Sequence, residues 1–335
     1  MPVDIVRRES DSGVRALALG TMFLCVSANP AVDKRIRVAE FRIAAVNRAK
    51  EAIPEPGGKA AHVALALRAL GAGPRWIGFA GGATGDFLVH GLESLGISVL
   101  AVPVRAATRE NLAIVDRAGI VTELLEPGGA VSAKELGRFR KACETEFARG
   151  RKALTVILSG SLPPGAPVSF YGELVCAAHK QGCRVILDTS GEGLRLGIAA
   201  GPDLVKPNRE EAEAATGGTI EHNASASTLA RQIALMGAGS VALSLGKEGV
   251  LWLGSGDGTT LFATAPEVKG RSAVGSGDAM VAGFAYAREK KLPPLEALRL
   301  AVACGTANCF AESPGRIQRS DVKKMEQRVR VNAES

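Results

Sequence analysis

The sequence predicts an α/β protein in three layers, with helices covering both faces of a mostly parallel central sheet and a small β-sheet standing over one end as a lid. Three observations carry this expectation. Apolar strand-like runs alternate with helix-like stretches along most of the chain, the order that builds parallel sheets. Two stretches, residues 32–55 and 97–125, break that rhythm with period-two alternation such as Arg35-Ile36-Arg37-Val38, the mark of a sheet with one wet face. Glycine-rich loops fall where strands give way to helices, where open α/β sheets bind their ligands.

Taken in order, residues 21–27 read as the first buried strand, opening a single domain that runs from 21 to 335. Residues 1–20 form an N-terminal extension. Arg7 and Arg8 ahead of an apolar stretch superficially resemble a secretory leader, but Asp4, Glu9 and Asp11 dilute its charge, and Arg15 and Gly20 interrupt the run. Met22 is a candidate native start. Residues 57–71 read as a loop and helix, with Val63, Leu65, Leu67 and Leu70 apolar and Gly71 closing it. A strand at 75–80 leads through Gly81-Gly82-Ala83-Thr84-Gly85-Asp86 into a helix ending at Gly96. Ser132 and Glu135 make a capping box for a helix reaching about Arg149. Residues 153–159 form a strand, followed by Pro163-Pro164 and a helix with Pro167 near its first turn. Further strands lie at 184–188, 203–205 and 240–245, and helices near Asn208, Ser225, Gly277, Pro294 and Asp321.

The 335 residues suit one large α/β domain with an inserted lid. A chain 46% apolar and 22% charged is neither disordered nor fibrous. Aromatics make up only 4%, so the core is expected to be Ala, Val, Leu and Ile. The formal charge of +7 suits either nucleic acid or phosphate-bearing small molecules. No helix-turn-helix or interleaving of aromatic and basic residues supports nucleic acid, and no apolar run reaches the roughly 18 residues of a membrane span. The six cysteines form no C-x-x-C pair and no Cys/His cluster, which argues against structural zinc and for a reducing cytoplasm.

The strongest chemical signal is Gly275-Ser276-Gly277-Asp278 running into a small-residue helix. Its glycines let backbone N–H groups approach an anion, and the helix start adds partial positive charge. Asp278 there reads either as a base for a hydroxyl attacking phosphorus or as a helix cap. No P-loop competes: Leu245-Gly246-Lys247-Glu248 and Gly58-Lys59-Ala60 lack the hydroxyl and the leading glycine. A second loop, Gly57-Gly58-Lys59, enters a helix with a lysine, which is unfavourable there unless it faces an anion. Arg48, Arg105 and Arg109 fall in the lid, either as solvated charges or as phosphate ligands. Asn208 and Glu211 form a capping box or orient magnesium-bound water. Ser159-Gly160-Ser161 and Ser244-Leu245-Gly246 each end a strand on the ligand side, and His62 lies beside the Gly57-Gly58 loop either in packing or in contact with ligand.

Together these segments resemble the ribokinase-like (PfkB) family of carbohydrate kinases, and within it the phosphosugar branch. The resemblance runs from about Met22 to Arg330 through Asn29-Pro30-Ala31-Val32-Asp33, Val46-Asn47-Arg48, Pro56-Gly57-Gly58-Lys59, Gly81-Gly82-Ala83-Thr84-Gly85-Asp86, Thr108-Arg109-Glu110-Asn111, Ser159-Gly160-Ser161-Leu162-Pro163-Pro164-Gly165, Asp188-Thr189-Ser190-Gly191-Glu192, Val205-Lys206-Pro207-Asn208, Ser244-Leu245-Gly246-Lys247-Glu248-Gly249 and Gly275-Ser276-Gly277-Asp278. It implies a ribokinase-like fold and ATP-dependent, Mg²⁺-requiring phosphorylation of a ketohexose phosphate. Tagatose 6-phosphate and fructose 1-phosphate lead, with fructose 6-phosphate as a further candidate. By the same resemblance Asp278 is the base, and Gly275, Ser276 and Gly277 form the anion hole with it. Asp33, Gly57, Gly58, His62, Asn111 and Ser159 belong to the sugar site, and Arg48, Lys59 and Arg109 hold the sugar's phosphate. Lys206, Asn208, Glu211, Ser244, Gly246 and Gly249 serve the nucleotide, with Asn208 and Glu211 reaching Mg²⁺ through water. The family usually continues Gly-Gly-Lys-Gly-x-Asn, whereas this chain has Ala60 and His62. Two other readings stand beside it: a neutral-sugar or nucleoside kinase of the same fold, and a non-catalytic sugar- or nucleic-acid-binding regulator. The lid sheet, exposed on one face, is expected to pair in a homodimer.

Overall fold

The computed structural model describes residues 23–256, 258–270 and 272–333. The expectations on residues 1–20 and on Met22 lie outside the described residues. The chain begins with β1 (Phe23–Ser27), β2 (Ala31–Arg37), β3 (Glu51–Gly57), α1 (Lys59–Ala69), β4 (Arg75–Ala80), α2 (Gly82–Ser94) and β5 (Ser98–Pro103). Then come β6 (Arg109–Val115), β7 (Val121–Leu125), α3 (Ala133–Gly150), β8 (Thr155–Ser159), α4 (Phe170–Lys180), β9 (Arg184–Asp188) and α5 (Gly191–Ala199). Next are β10 (Leu204–Val205), α6 (Arg209–Thr216), α7 (Asn223–Leu235), β11 (Val241–Ser244), β12 (Val250–Leu253) and β13 (Thr260–Thr264). The chain closes with α8 (Ser276–Glu289), α9 (Pro294–Asn308), α10 (Arg319–Glu326) and β14 (Arg330–Ala333).

Ten strands form the main sheet in the order β14-β13-β12-β11-β10-β9-β8-β1-β4-β5. From β5 to β11 every pairing is parallel, and β12, β13 and β14 extend the sheet antiparallel. Strand β1 shows why a central parallel strand reads as a continuous apolar run: Phe23 and Cys25 join the core beneath α1, α8, α9 and α10, whereas Leu24 and Val26 join the one beneath α3, α4, α5 and α7. Both faces are therefore covered, as the alternation of strands and helices predicts.

The second sheet has four strands in the order β3-β2-β6-β7, with β2 and β6 parallel and the outer pairs antiparallel. This is the lid. The expected lid segment 97–125 divides, however: Ser98–Pro103 pairs parallel with β4 at the edge of the main sheet, and only β6 and β7 belong to the lid. Its alternation reflects an edge strand that is only part-covered, a pattern that a half-wet lid strand shares. Strands β12, β13 and β14 also went unread, being runs of only four or five residues. Helix α4 starts at Phe170; Pro167 lies in the turn before it, its carbonyl accepting from the Phe170 N–H. The Ser132–Glu135 capping box is formed as expected.

Candidate active site

A cavity of about 540 Å³ lies between the lid and the carboxyl ends of β8 to β11, and the start of α8 forms part of its wall. This volume is ordinary for a small-molecule site. The turn into α8 needs glycine at position 275. Its φ is +81°, and a Cβ there would stand 2.6 Å from that of Pro314. Asn308, at the end of α9, braces the turn by donating from Nδ2 to the Val274 carbonyl (2.7 Å) and accepting at Oδ1 from the Gly315 N–H (2.9 Å). The Ser276 N–H is spent on the Ala273 carbonyl. Gly277 and Asp278, the second and third residues of the helix, are left with N–H groups that have no intrahelical acceptor. Lys206 stands over this end, since a Cβ on Gly277 would come 3.3 Å from its Nζ.

Asp278 does not cap the helix: the N-cap is Gly275, with no side-chain bond. Its carboxylate turns to His62, whose Nδ1 lies 2.7 Å from Asp278 Oδ2. The other ring nitrogen, Nε2, lies 2.8 Å from Oδ2 of Asp33 on the lid strand β2. Asp33 also accepts from the Gly58 N–H (3.2 Å) and from Asn111 Nδ2 on β6 (3.0 Å). Burial alone would raise its pKa, but the His62 bond and charge prevail and hold it below the ordinary carboxylate value. Gly57 makes this possible, because a Cβ there would overlap the Asp33 carboxylate at 2.2 Å.

The lysines gather on a buried acid. Asp188, at the end of β9, has Lys206 Nζ at 3.2 Å and Lys59 Nζ at 3.5 Å from Oδ1, and Ser159 donates to its Oδ2 at 3.4 Å. Burial would raise the Asp188 pKa, but the two lysines hold it low. Lys59, also 3.9 Å from Glu211, has its own pKa raised, chiefly by Asp188. The lysine that is misplaced at a helix start on electrostatic grounds thus faces carboxylates of the protein itself.

Arg109 lines the cavity from β6 and donates to the carbonyls of Glu126 (2.6 Å) and Asn29 (3.1 Å). Arg48 and Arg105 are exposed and stand off the cavity wall. At the start of α6 the Asn208–Glu211 capping box is formed, and both residues line the cavity with Ser244 and Lys206. Gly246 and Gly249 are not part of the cavity lining. At Gly249 a Cβ would meet the Ala263 carbonyl at 2.0 Å, so the backbone of β13 alone accounts for that glycine.

Residues 27–319 match the pfkB family of carbohydrate kinases. The chain belongs to this family. It is 37% identical over 279 residues, 83% of its length and 87% of the relative's, to a protein of Rhodobacter capsulatus named 1-phosphofructokinase. It is 34% identical over 274 residues, 81% and 87% of the two chains, to the ATP-dependent 6-phosphofructokinase isozyme 2 of Escherichia coli. Among solved structures it superposes on phosphofructokinase-2 from Escherichia coli in complex with potassium with a TM-score of 0.84 at 30% identity, covering 91% of this chain and 98% of the other.

As a carbohydrate kinase of the pfkB family, the chain shows three parts of its site that residue-by-residue reading did not single out. Asp188 collects the two lysines, Asn308 braces the glycine turn, and Asn29 joins the lid to the β8 loop by donating to the Pro127 carbonyl and to Ser161 Oγ, both at 3.0 Å. All three act through partners far off in sequence; only Asp188, an acid ending an apolar strand on the ligand side, carried a local signal.

Proposed function

We propose that the chain transfers the terminal phosphoryl group of ATP to a hydroxyl of a phosphorylated ketohexose, giving a bisphosphate. The observation that supports this is the placing of Asp278 beside the unsatisfied N–H groups of α8, at the end of a cavity whose other wall carries Asp33, Asn111 and Arg109 of the lid. Fructose 1-phosphate leads, since a 37% identical relative carries the name 1-phosphofructokinase. Fructose 6-phosphate follows on the isozyme 2 relative.

In this reading Asp278 takes the proton of the acceptor hydroxyl as its oxygen attacks the γ-phosphorus. The N–H groups of Gly277 and Asp278 face the charge that gathers on the transferred group, and Lys206 supplies a cation beside them. Positioning and charge neutralisation provide most of the acceleration in such transfers. Among the described residues no cluster of three or more His, Cys, Asp or Glu could hold a metal. Asn208 and Glu211 both bring side-chain oxygens to the cavity, a donor chemistry that suits Mg²⁺ held through water; bound there, Mg²⁺ would neutralise phosphate charge.

A coupled ADP-release screen over fructose 1-phosphate, fructose 6-phosphate, tagatose 6-phosphate, neutral hexoses and nucleosides tests the assignment. Turnover confined to neutral sugars or nucleosides would replace it. Arg109→Ala is expected to raise KM for the sugar phosphate roughly 10- to 100-fold, the scale of a lost charge-assisted contact, with KM for ATP unchanged. An unchanged sugar KM would remove Arg109 from phosphate recognition. Arg48→Ala, from a residue standing off the cavity, serves as the comparison.

We further propose a homodimer through the lid. Ile120 and Leu124 around edge strand β7, and Ile43 and Val46 in the loop between β2 and β3, are exposed apolar side chains, whereas Leu125 lines the cavity. Light scattering at micromolar concentration should return twice the 34.6 kDa chain mass. A monomer would refute the dimer.

A further inference from the structure

His62 lies in the first turn of α1, 6% exposed, with both ring nitrogens bonded at once. Nδ1 is 2.7 Å from Oδ2 of Asp278, and Nε2 is 2.8 Å from Oδ2 of Asp33. An ionised carboxylate only accepts, and a neutral imidazole has one N–H to give, so two such bonds require a proton on each nitrogen. We propose that His62 is an imidazolium and a positioning residue that ties the base to the sugar-holding carboxylate, fixing Asp278 through Oδ2 and leaving Oδ1 to meet the acceptor hydroxyl. This rests on the kinase reading above for the role of Asp278, while the charge state of the ring stands on the two distances and on both partners being carboxylates.

The surroundings support the charge. Asp33 on β2, Asp278 on α8, Glu55 on β3 and Glu123 on β7 face the space around the ring, against Lys59 on its own helix, Arg109 on β6 and Arg316. Burial would strip the proton, but the bonds to Asp278 and Asp33 prevail and raise the His62 pKa from 6.5 to about 10. Two carboxylates that would repel across one cavity are thereby joined with a net charge of −1. The His62 protons are not consumed: the acceptor's proton passes to Asp278 Oδ1 and from there to water. Because the folded value lies above the ordinary one, the ring's contribution to stability is complete below about pH 6.5 and lost as pH rises through about 10.

Histidine side-chain ¹⁵N NMR of the ligand-free protein tests the charge without reference to any substrate. Of His62, His90, His179 and His222, one is expected to stay protonated on both nitrogens at pH 8, with His62→Asn or His62→Gln removing that signal. Four neutral histidines at pH 8 would overturn the proposal even if sugar phosphate is turned over; the doubly protonated ring with no sugar phosphorylated would instead overturn the kinase reading. For positioning, His62→Asn and His62→Gln are expected to lower kcat roughly 10- to 100-fold through misplacement of the base. KM for ATP should be unchanged, and an alkaline fall in kcat/KM near pH 10 in the native protein should vanish in the variants. A variant with native kcat, or one that keeps the alkaline limb, would overturn the positioning role.

Discussion

Asp278→Asn is expected to lower kcat by roughly 10²- to 10⁴-fold, the usual contribution of a positioned general base. The amide keeps an acceptor for His62 and nearly the same shape, so the first turn of α8 and its free N–H groups stay in place. ATP affinity by calorimetry and the circular dichroism spectrum should therefore match the native protein, while coupled ADP release all but disappears. Turnover within about threefold of native would take the base role from Asp278.

Lys206→Met should cost stability as well as activity. The lysine side chain is 5% exposed and its Asp188 partner fully buried. Breaking such a pair from one side typically costs about 3–5 kcal/mol, because the remaining charge is stranded. Lys59 remains 3.5 Å away, which places the expected loss toward the lower end. Adding Asp188→Asn to the same chain removes the stranded charge and should recover most of the urea midpoint, yet not the turnover, since the cation over Gly277 is still missing. A single variant of native stability would show the pair to be idle, and a double variant that regains turnover would show that Lys206 acts only on the fold.

What the sequence showed was whatever is written locally. The two capping boxes, Ser132 with Glu135 and Asn208 with Glu211, each close over three residues, and both formed. The turn at Gly275 was readable from two glycines ahead of a small-residue helix; the positive φ and the Pro314 wall that require glycine there are seen only in the fold. The bond between His62 and Asp278 spans 216 residues, and no spacing rule reaches that far. Lys59 could be seen to need an anion, but not that the anion would be Asp188 of the same chain. Strand β5 was misplaced because an edge strand of the main sheet and a lid strand present the same half-wet alternation; the choice between them is made by pairing with β4.

Lys59, Lys206, Asp188 and Glu211 together carry two positive and two negative charges within 4 Å contacts. Seen from a distance the cluster is neutral. Its lysines therefore add little to the long-range attraction of a polyanion, and the rate of nucleotide arrival should owe them little dependence on ionic strength. What they offer is readiness: both ammonium groups are already held in line by fixed anions, so less side-chain entropy remains to be lost when phosphate takes its place beside them.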